Sequence, residues 1–314
     1  MIIERLTQPA LEPFPASTIE RWCGAGIKST TASVADDDAA ILADLQHEVR
    51  EYIEDILGRT LMRCTWRSIY DYEDLFYADG SQRQDLWLEM PPLVSIESVT
   101  WMTATGAVET IDSSAYWVIT GEHGRFALRA GQSWPSSTPR QQACLTIEST
   151  HGYVAPRSGT ATSTNTETVI SGLTMSGASG KRLAVHMRAV SKGVTFTIYG
   201  SAASTFSPEI LVATVPVAAG AHDEYVTPNA QYDYWRIKCV STQTDQPGTA
   251  TVEVRVGDLP SYVATAIKEL CRYFYRNRGD GYITNLKTGG NVALPNHLQR
   301  VIDILRLHAV PLMG

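Results

Sequence analysis

Residues 39–66, AAILADLQHEVREYIEDILGRTLMRCTW, contain a change of hydrophobic period that indicates a helix followed directly by a strand. In the first part, apolar side chains recur every three or four residues, as they do on the buried face of an α-helix. These positions are Ile41, Leu45, Val49, Tyr52, Ile53, Ile56 and Leu57. Gly58 follows the last of them, where helices commonly end. From Leu61 the period is two, with Cys64 and Trp66 on one side of an alternating pattern that predicts a strand.

Further strand-like runs follow this first strand, separated by turns rich in Gly, Pro, Asp and Ser. They cover residues 85–90, 94–102, 116–120, 125–129 and 143–148. Because the connections are short, we expect the runs to pair antiparallel with one another. They predict a small antiparallel sheet packed beside the helix.

The block between residues 155 and 257 is almost free of helical pattern and rich in Thr, Ser, Gly and Val. About seven short strand candidates at regular spacing are typical of a β-sandwich, either Ig-like or jelly-roll. Helical period returns at Pro260, with Val263, Ile267, Leu270 and Phe274 on one face. We therefore predict an α+β fold, in which residues 1–154 and 258–314 form a helical core with a small antiparallel β-sheet. Residues 155–257 are predicted to be an inserted all-β sandwich.

Composition and motifs favour a structural protein over an enzyme. No basic and apolar leader and no run of about 20 apolar residues is present, so we expect a cytoplasmic rather than a membrane protein. The five cysteines and seven histidines lack the spacings of a metal site. No nucleophile elbow or phosphate-binding loop is found. We predict no catalytic residues, no metal and no cofactor.

The net charge of −7 is unevenly distributed along the chain. Residues 156–257 contain eight basic and seven acidic side chains, so the acidity lies in the remainder. A protein that grips the phosphate backbone would be basic. An acidic body suits passage of DNA without retention, and it equally suits solubility alone.

Several short motifs occur in one consistent order on either side of the inserted block. They are GRTL at 58–61 after the long helix, LEMPPLVSIESVTW at 88–101, SSAYWV at 113–118, GQSWP at 131–135, LTIESTHGY at 145–153, LPSYVATAIKELCRYFYRNRG at 259–279 and LPNHLQRVIDILRL at 294–307. In this order the chain resembles the head–tail connector (adaptor) proteins of tailed bacteriophages. The resemblance covers about 200 residues, and it does not extend to the inserted block.

The resemblance implies a structural role in the virion neck, after assembly in the host cytoplasm. Members of that family form homo-oligomeric rings, commonly dodecamers, that dock on the portal protein and extend the DNA channel. Double-stranded DNA passes through without sequence-specific binding, no membrane is involved, and the ring carries the next stopper or tail-completion protein.

The resemblance also implies that the C-terminal segment reaches into the portal. The corresponding residues here are His297, Arg306, His308, Val310, Pro311, Leu312 and Met313. The apolar composition of residues 309–313 would suit a segment that becomes ordered on docking. The alternative is a tail that folds back onto its own core.

The inserted block offers a second candidate surface. Alternation along YDYWRIKC places Tyr232, Tyr234, Arg236 and Lys238 on one face, and aromatic and Arg side chains are enriched at interfaces. The alternative is that these side chains simply line the solvent face of a strand. A second function class follows from this surface: a carbohydrate-binding or attachment module of a tail or fibre protein. A glycan hydrolase ranks third, because no pair of carboxylates can be nominated.

Overall fold

The computed structural model describes residues 1–24, 32–77, 79–162, 166–176, 183–191, 193–218, 220–226, 232–241, 248–277 and 295–309. The chain divides into two compact units. Unit 1 comprises Met1–Tyr153 and Pro260–Gly314, and unit 2 comprises Val154–Leu259.

Most elements in the described part of unit 1 are strands. The helices are α1 (Ala16–Cys23), α2 (Ala32–Leu57), α3 (Ser261–Arg276) and α4 (Asn296–Leu307). The strands are β1 (Ile2–Arg5), β2 (Cys64–Tyr70), β3 (Asp85–Trp87), β4 (Leu93–Met102), β5 (Val108–Thr110), β6 (Tyr116–Ile119), β7 (Arg125–Leu128) and β8 (Leu145–His151).

Two antiparallel sheets form in unit 1. The larger has the order β1-β2-β8-β4-β5, and the smaller has the order β3-β7-β6. Strand β2 alternates buried and half-buried residues along its whole length, as its period-two pattern predicts. The two sheets share a core of large side chains, among them Trp101, Phe126 and Trp134.

The helices of unit 1 pack on one another through their apolar faces. Helix α3 contacts α1, α2 and α4. The buried positions of α3 repeat at helical spacing and comprise Val263, Ala266, Ile267, Leu270, Cys271 and Phe274. Helix α4 contributes Leu298, Ile302 and Leu305. This cluster brings together helices that lie before and after unit 2 in the sequence.

Unit 2 consists of two four-stranded antiparallel sheets around one apolar core. Its strands are β9 (Ala155–Thr162), β10 (Thr168–Met175), β11 (Leu183–Val190), β12 (Val194–Ser201), β13 (Ile210–Val217), β14 (Gly220–Val226), β15 (Tyr234–Ser241) and β16 (Thr249–Val256). The sheet orders are β10-β15-β12-β13 and β14-β11-β16-β9. The first and last strands pair directly, with Ala155 opposite Val256.

The predicted fold class is wrong. Strands hold 43% of the residues and helices 24%, and the four sheets dominate, so unit 1 is not a helical core with a small sheet. There are two physical reasons. Strand β1 pairs with β2 and adds an edge strand to the larger sheet. Strands β3, β7 and β6 form a second sheet instead of adding to the larger one. The aromatic core between these sheets is therefore built mainly by strands.

Candidate interaction surfaces

Three of the separated motifs meet at one hydrogen-bonded junction in unit 1, formed by residues 58–61, 90–92 and 152–153. The backbone N–H of Thr60 donates to the carbonyl of Pro91 at 2.9 Å. Gly152 donates to Pro92 at 3.0 Å, and Tyr153 donates to Leu61 at 3.0 Å. The junction therefore joins the end of α2, the start of β4 and the end of β8.

Side chains reinforce this junction. The guanidinium of Arg59 donates to the Tyr153 hydroxyl at 2.7 Å and forms an ion pair with Glu122. Gly152 has φ +126°, and a Cβ there would lie 2.6 Å from the backbone nitrogen of Arg63. Only glycine fits so close an approach of two backbones. The GRTL, PP and GY motifs are thus parts of one structural joint.

Two further motifs supply the aromatic core. Trp134, from GQSWP, lies parallel to Trp101 at 6.0 Å and to Phe126 at 5.7 Å between ring centroids. Its indole N–H donates to the carbonyl of Arg83 at 3.0 Å. Tyr116, from SSAYWV, contacts Phe126 at 4.8 Å. These residues belong to the core of unit 1 and stabilise the fold.

A buried ion cluster fixes helix α2 to the N-terminal part of the chain. Arg50 is fully buried and donates to Glu12 Oε2 at 2.8 Å and to Glu54 Oε2 at 2.7 Å. Arg5, on β1, donates to the same oxygen of Glu54 at 2.7 Å. Burial opposes the charged form of Arg50, but Glu54 and Glu12 outweigh it and raise its pKa.

A cleft of about 860 Å³ opens beside the smaller sheet of unit 1. Its lining combines the aromatic side chains of Tyr70, Tyr77 and Trp87 with carboxylates that include Glu73 and Glu89. Burial raises the pKa of Glu89. Within the described part of the chain, no group of three or more His, Cys, Asp or Glu side chains is arranged to hold a metal ion.

The smaller sheet presents an outer face that we call the Trp–Arg face, formed by the exposed Trp87, Trp117 and Ile119 and the half-buried Arg125 and Arg129. Trp117 is 58% exposed and Trp87 is 41% exposed. Sequence reasoning missed this face, because alternation separates two faces of a strand without indicating which one is buried. The two arginines within the predicted strand 125–129 were the available signal.

The predicted C-terminal docking residues lie partly on α4. His297, Arg306 and His308 are exposed, and the ring of His308 is stacked on Tyr262 at 4.2 Å between centroids. Val310, Pro311, Leu312 and Met313 lie outside the described residues. Helix α4 also exposes Ile304 and, to 83%, Leu307. Its outer side therefore carries apolar side chains near the end of the helix.

The structure separates the predicted contact face of the insert into two parts. Tyr232 precedes β15, contacts Trp235 edge to face at 6.0 Å between centroids, and packs against the core of unit 2. Tyr234, Arg236 and Lys238 are half-buried on β15. Tyr232 therefore does not lie on one surface with Tyr234, Arg236 and Lys238.

Arg236 and Lys238 are already paired within unit 2. Lys238 Nζ lies 2.7 Å from Glu209 and 3.5 Å from Glu167, and Arg236 also forms an ion pair with Glu209. Lys238 Nζ is 4.3 Å from the centroid of the Tyr199 ring. The cations of this face therefore already contact carboxylates and an aromatic ring of unit 2 itself.

This network predicts a pH-dependent contribution to the stability of unit 2. The hydrogen bond from Arg236, together with the charge of Lys238, lowers the pKa of Glu209. A lowered folded-state pKa means that the stabilisation is complete above the unfolded pKa and is lost as the pH falls through the folded one. Glu209→Gln should weaken hydrogen-exchange protection of the β15 amides by about 1 kcal/mol at neutral pH. The difference in hydrogen-exchange protection between Glu209→Gln and the natural protein should become smaller as the pH falls.

The matched control is Glu4→Gln, which removes a carboxylate paired with Arg67 in unit 1. It should leave the β15 amides unchanged at every pH. A difference for Glu209→Gln that stays constant down to strongly acid pH would show that ionisation of Glu209 is not the cause.

No protein-family model matches the sequence, and the search of curated proteins found no match. Among solved structures, the chain is similar to a chain in the virion of the native gene transfer agent (GTA) particle, with 12% identity, a TM-score of 0.49 and coverage of 100% of this chain and 98% of that chain. A chain in the neck of the native GTA particle, computed with C12 symmetry, has 12% identity, a TM-score of 0.43 and the same coverage. A chain in the neck of the empty GTA particle, computed with C6 symmetry, has 13% identity and a TM-score of 0.40 over 49% of this chain and 72% of that chain.

These three chains are virion and neck chains of a phage-like particle. At these identities and TM-scores, the likenesses assign neither a family nor a function to the protein. No described helix has the length and apolar character needed to span a bilayer.

Proposed function

We propose that the protein is a non-enzymatic structural component of a phage-like particle, located at the neck between head and tail. The observation that carries this proposal is the junction at residues 58–61, 90–92 and 152–153. Motifs that are far apart in sequence, and whose order resembles the adaptor proteins, are joined there by backbone hydrogen bonds. Three of the motifs that carry the resemblance are therefore parts of one structural joint, and their order along the chain is the order in which the fold brings them there.

In this proposal the chain forms a ring on the portal, provides a path for DNA and carries the next neck or tail protein. The net charge of −7 supports passage of DNA, since a polyanion is not retained by an acidic protein. Pairing of Arg236 and Lys238 with carboxylates of unit 2 does not favour the alternative of a carbohydrate-binding module.

Docking on the portal is assigned to α4 and the residues that follow it. The inner side of α4 is buried through Leu298, Ile302 and Leu305, whereas Leu307 and Ile304 project from the other side. Exposed apolar side chains at the end of a helix are suited to burial against a partner. His297, Arg306, His308 and residues 310–313 complete the proposed docking segment.

Leu307→Asp should abolish or strongly reduce attachment of the protein to heads that carry the portal. A carboxylate at this position would have to be buried without a partner, which weakens binding by a few kcal/mol. The measurement is the amount of this protein on particles purified from a producer that carries the variant, with cryo-electron microscopy of the necks. Val108→Asp is the matched control, because Val108 on β5 is also exposed, to 59%, and is not part of the segment.

Absence of the natural protein from purified particles would overturn the proposed function as a whole. Equal occupancy by the Leu307→Asp variant and the natural protein would overturn the docking assignment alone. Circular dichroism of both purified variants shows whether each is folded before the comparison is made.

A further inference from the structure

The Trp–Arg face of the smaller sheet has one buried side and one exposed side. Leu86, Phe126 and Leu128 point into the core of unit 1. On the opposite side, register places Trp87 beside Arg125 and Arg125 beside Ile119. The outer side of this sheet thus carries three large exposed apolar side chains, Trp87, Trp117 and Ile119, with Arg125 between two of them. Aromatic and Arg side chains are enriched at protein interfaces.

The guanidinium of an arginine lies over the ring of each tryptophan of the face. The guanidinium carbon of Arg129 lies 3.9 Å from the ring centroid of Trp117, and that of Arg125 lies 4.5 Å from Trp87. Arg129 is also held by a hydrogen bond from Nε to the carbonyl of Tyr116 at 3.1 Å. The side chains are therefore pre-organised, which reduces the entropy lost when a partner binds.

The charges of the face point to the chemistry of its partner. Arg125 is paired with Asp85 at 3.2 Å, and Asp85 also accepts a hydrogen bond from the Tyr77 hydroxyl at 3.0 Å. Among the ion pairs of the described residues, none involves Arg129. Arg129 is therefore the cation of this face that can pair with a carboxylate of a partner.

We propose that the Trp–Arg face binds an acidic segment of another protein, with carboxylates at Arg129 and apolar side chains on Trp117 and Ile119. Trp and Arg are the side chains that most often dominate the affinity of protein interfaces. A nucleic acid is disfavoured, because a phosphate backbone is bound by several Lys and Arg side chains, whereas Arg125 of this face is already paired with Asp85.

The test is selection from an mRNA-display library of random dodecapeptides on the full-length protein, with counter-selection on the Arg129→Glu variant. Enriched peptides should combine Asp or Glu with aliphatic or aromatic residues. A fluorescein-labelled enriched peptide should then lose roughly ten- to hundredfold in affinity for Arg129→Glu and for Trp117→Ala. Arg140→Glu is the charge-matched control, since Arg140 is exposed in the same unit and is not part of the face. It should bind the peptide like the natural protein.

Three outcomes would overturn the proposal. One is enrichment of peptides without acidic residues, or no enrichment. The second is binding that survives both Arg129→Glu and the milder Arg129→Gln, each with natural circular dichroism. The third is self-association in sedimentation velocity that Arg129→Glu abolishes, because the occupant of the face would then be a second copy of this chain.

Discussion

Replacing Gly152 by alanine is expected to lower the free energy of unfolding of unit 1 by about 3–5 kcal/mol. Two effects add at this position. The φ angle of +126° is unfavourable for any residue with a Cβ, and the new Cβ would lie 2.6 Å from the backbone carbonyl carbon of Met62. Backbone cannot move aside as a flexible side chain can, so the junction must open. Urea unfolding followed by circular dichroism measures the loss.

Gly106→Ala separates the two effects. Gly106 has φ +85°, and no atom lies within 4 Å of the position that a Cβ would take, so alanine there should cost only the backbone term of about 1–2 kcal/mol. If both alanine variants lost the same stability, the close approach of the Gly152 backbone to residues 62–63 would not be the reason for its effect.

Replacing Arg50 by methionine is the second large effect, a loss of about 3 kcal/mol or more in the free energy of unfolding. Methionine fills a similar volume but leaves the buried carboxylate of Glu54 with Arg5 as its cationic partner, and it leaves Glu12 without its hydrogen bond from Arg50 Nε. A buried charge that loses its partner is far more destabilising than an exposed one. Thermal and urea unfolding of the full chain both report the change.

Arg67→Met is the control for Arg50→Met. Arg67 also pairs with a carboxylate, Glu148 at 2.9 Å, but its side chain is 37% exposed. Its removal should cost less than about 1 kcal/mol, because water replaces the lost partner. A loss as large as that of Arg50→Met would contradict the assignment of the effect to burial.

Local sequence pattern was sufficient to predict those helices and strands that bury one face, because burial of one face sets the spacing of their apolar residues. The change of period at Gly58 gave both the end of α2 and the strand β2, and the alternation in β15 gave its buried Trp235 and Ile237. The pattern failed where pairing is between distant residues. Strand β1 has four residues, too few to show a period, yet it pairs in register with β2. The fold class was wrong because local pattern shows neither this pairing nor the separate sheet of β3, β7 and β6.

The candidate surfaces were harder to predict than the elements. Alternation predicts that Tyr232 shares a face with Tyr234, but Tyr232 precedes β15 and its ring contacts that of Trp235. In β6, alternation distinguishes Tyr116 from Trp117 without indicating that Tyr116 is buried and Trp117 exposed. That choice depends on which strands β6 meets, and those contacts are long-range.

The pairing of Ala155 with Val256 has a consequence for engineering and for evolution. Residues directly opposite in an antiparallel ladder are separated by about 5 Å between Cα atoms, so unit 2 begins and ends almost at one point. A peptide of a few residues between Tyr153 and Pro260 should therefore be long enough to replace the whole unit. By the same geometry, a different domain whose two ends lie equally close could be joined to unit 1 at this position without lengthening either connection.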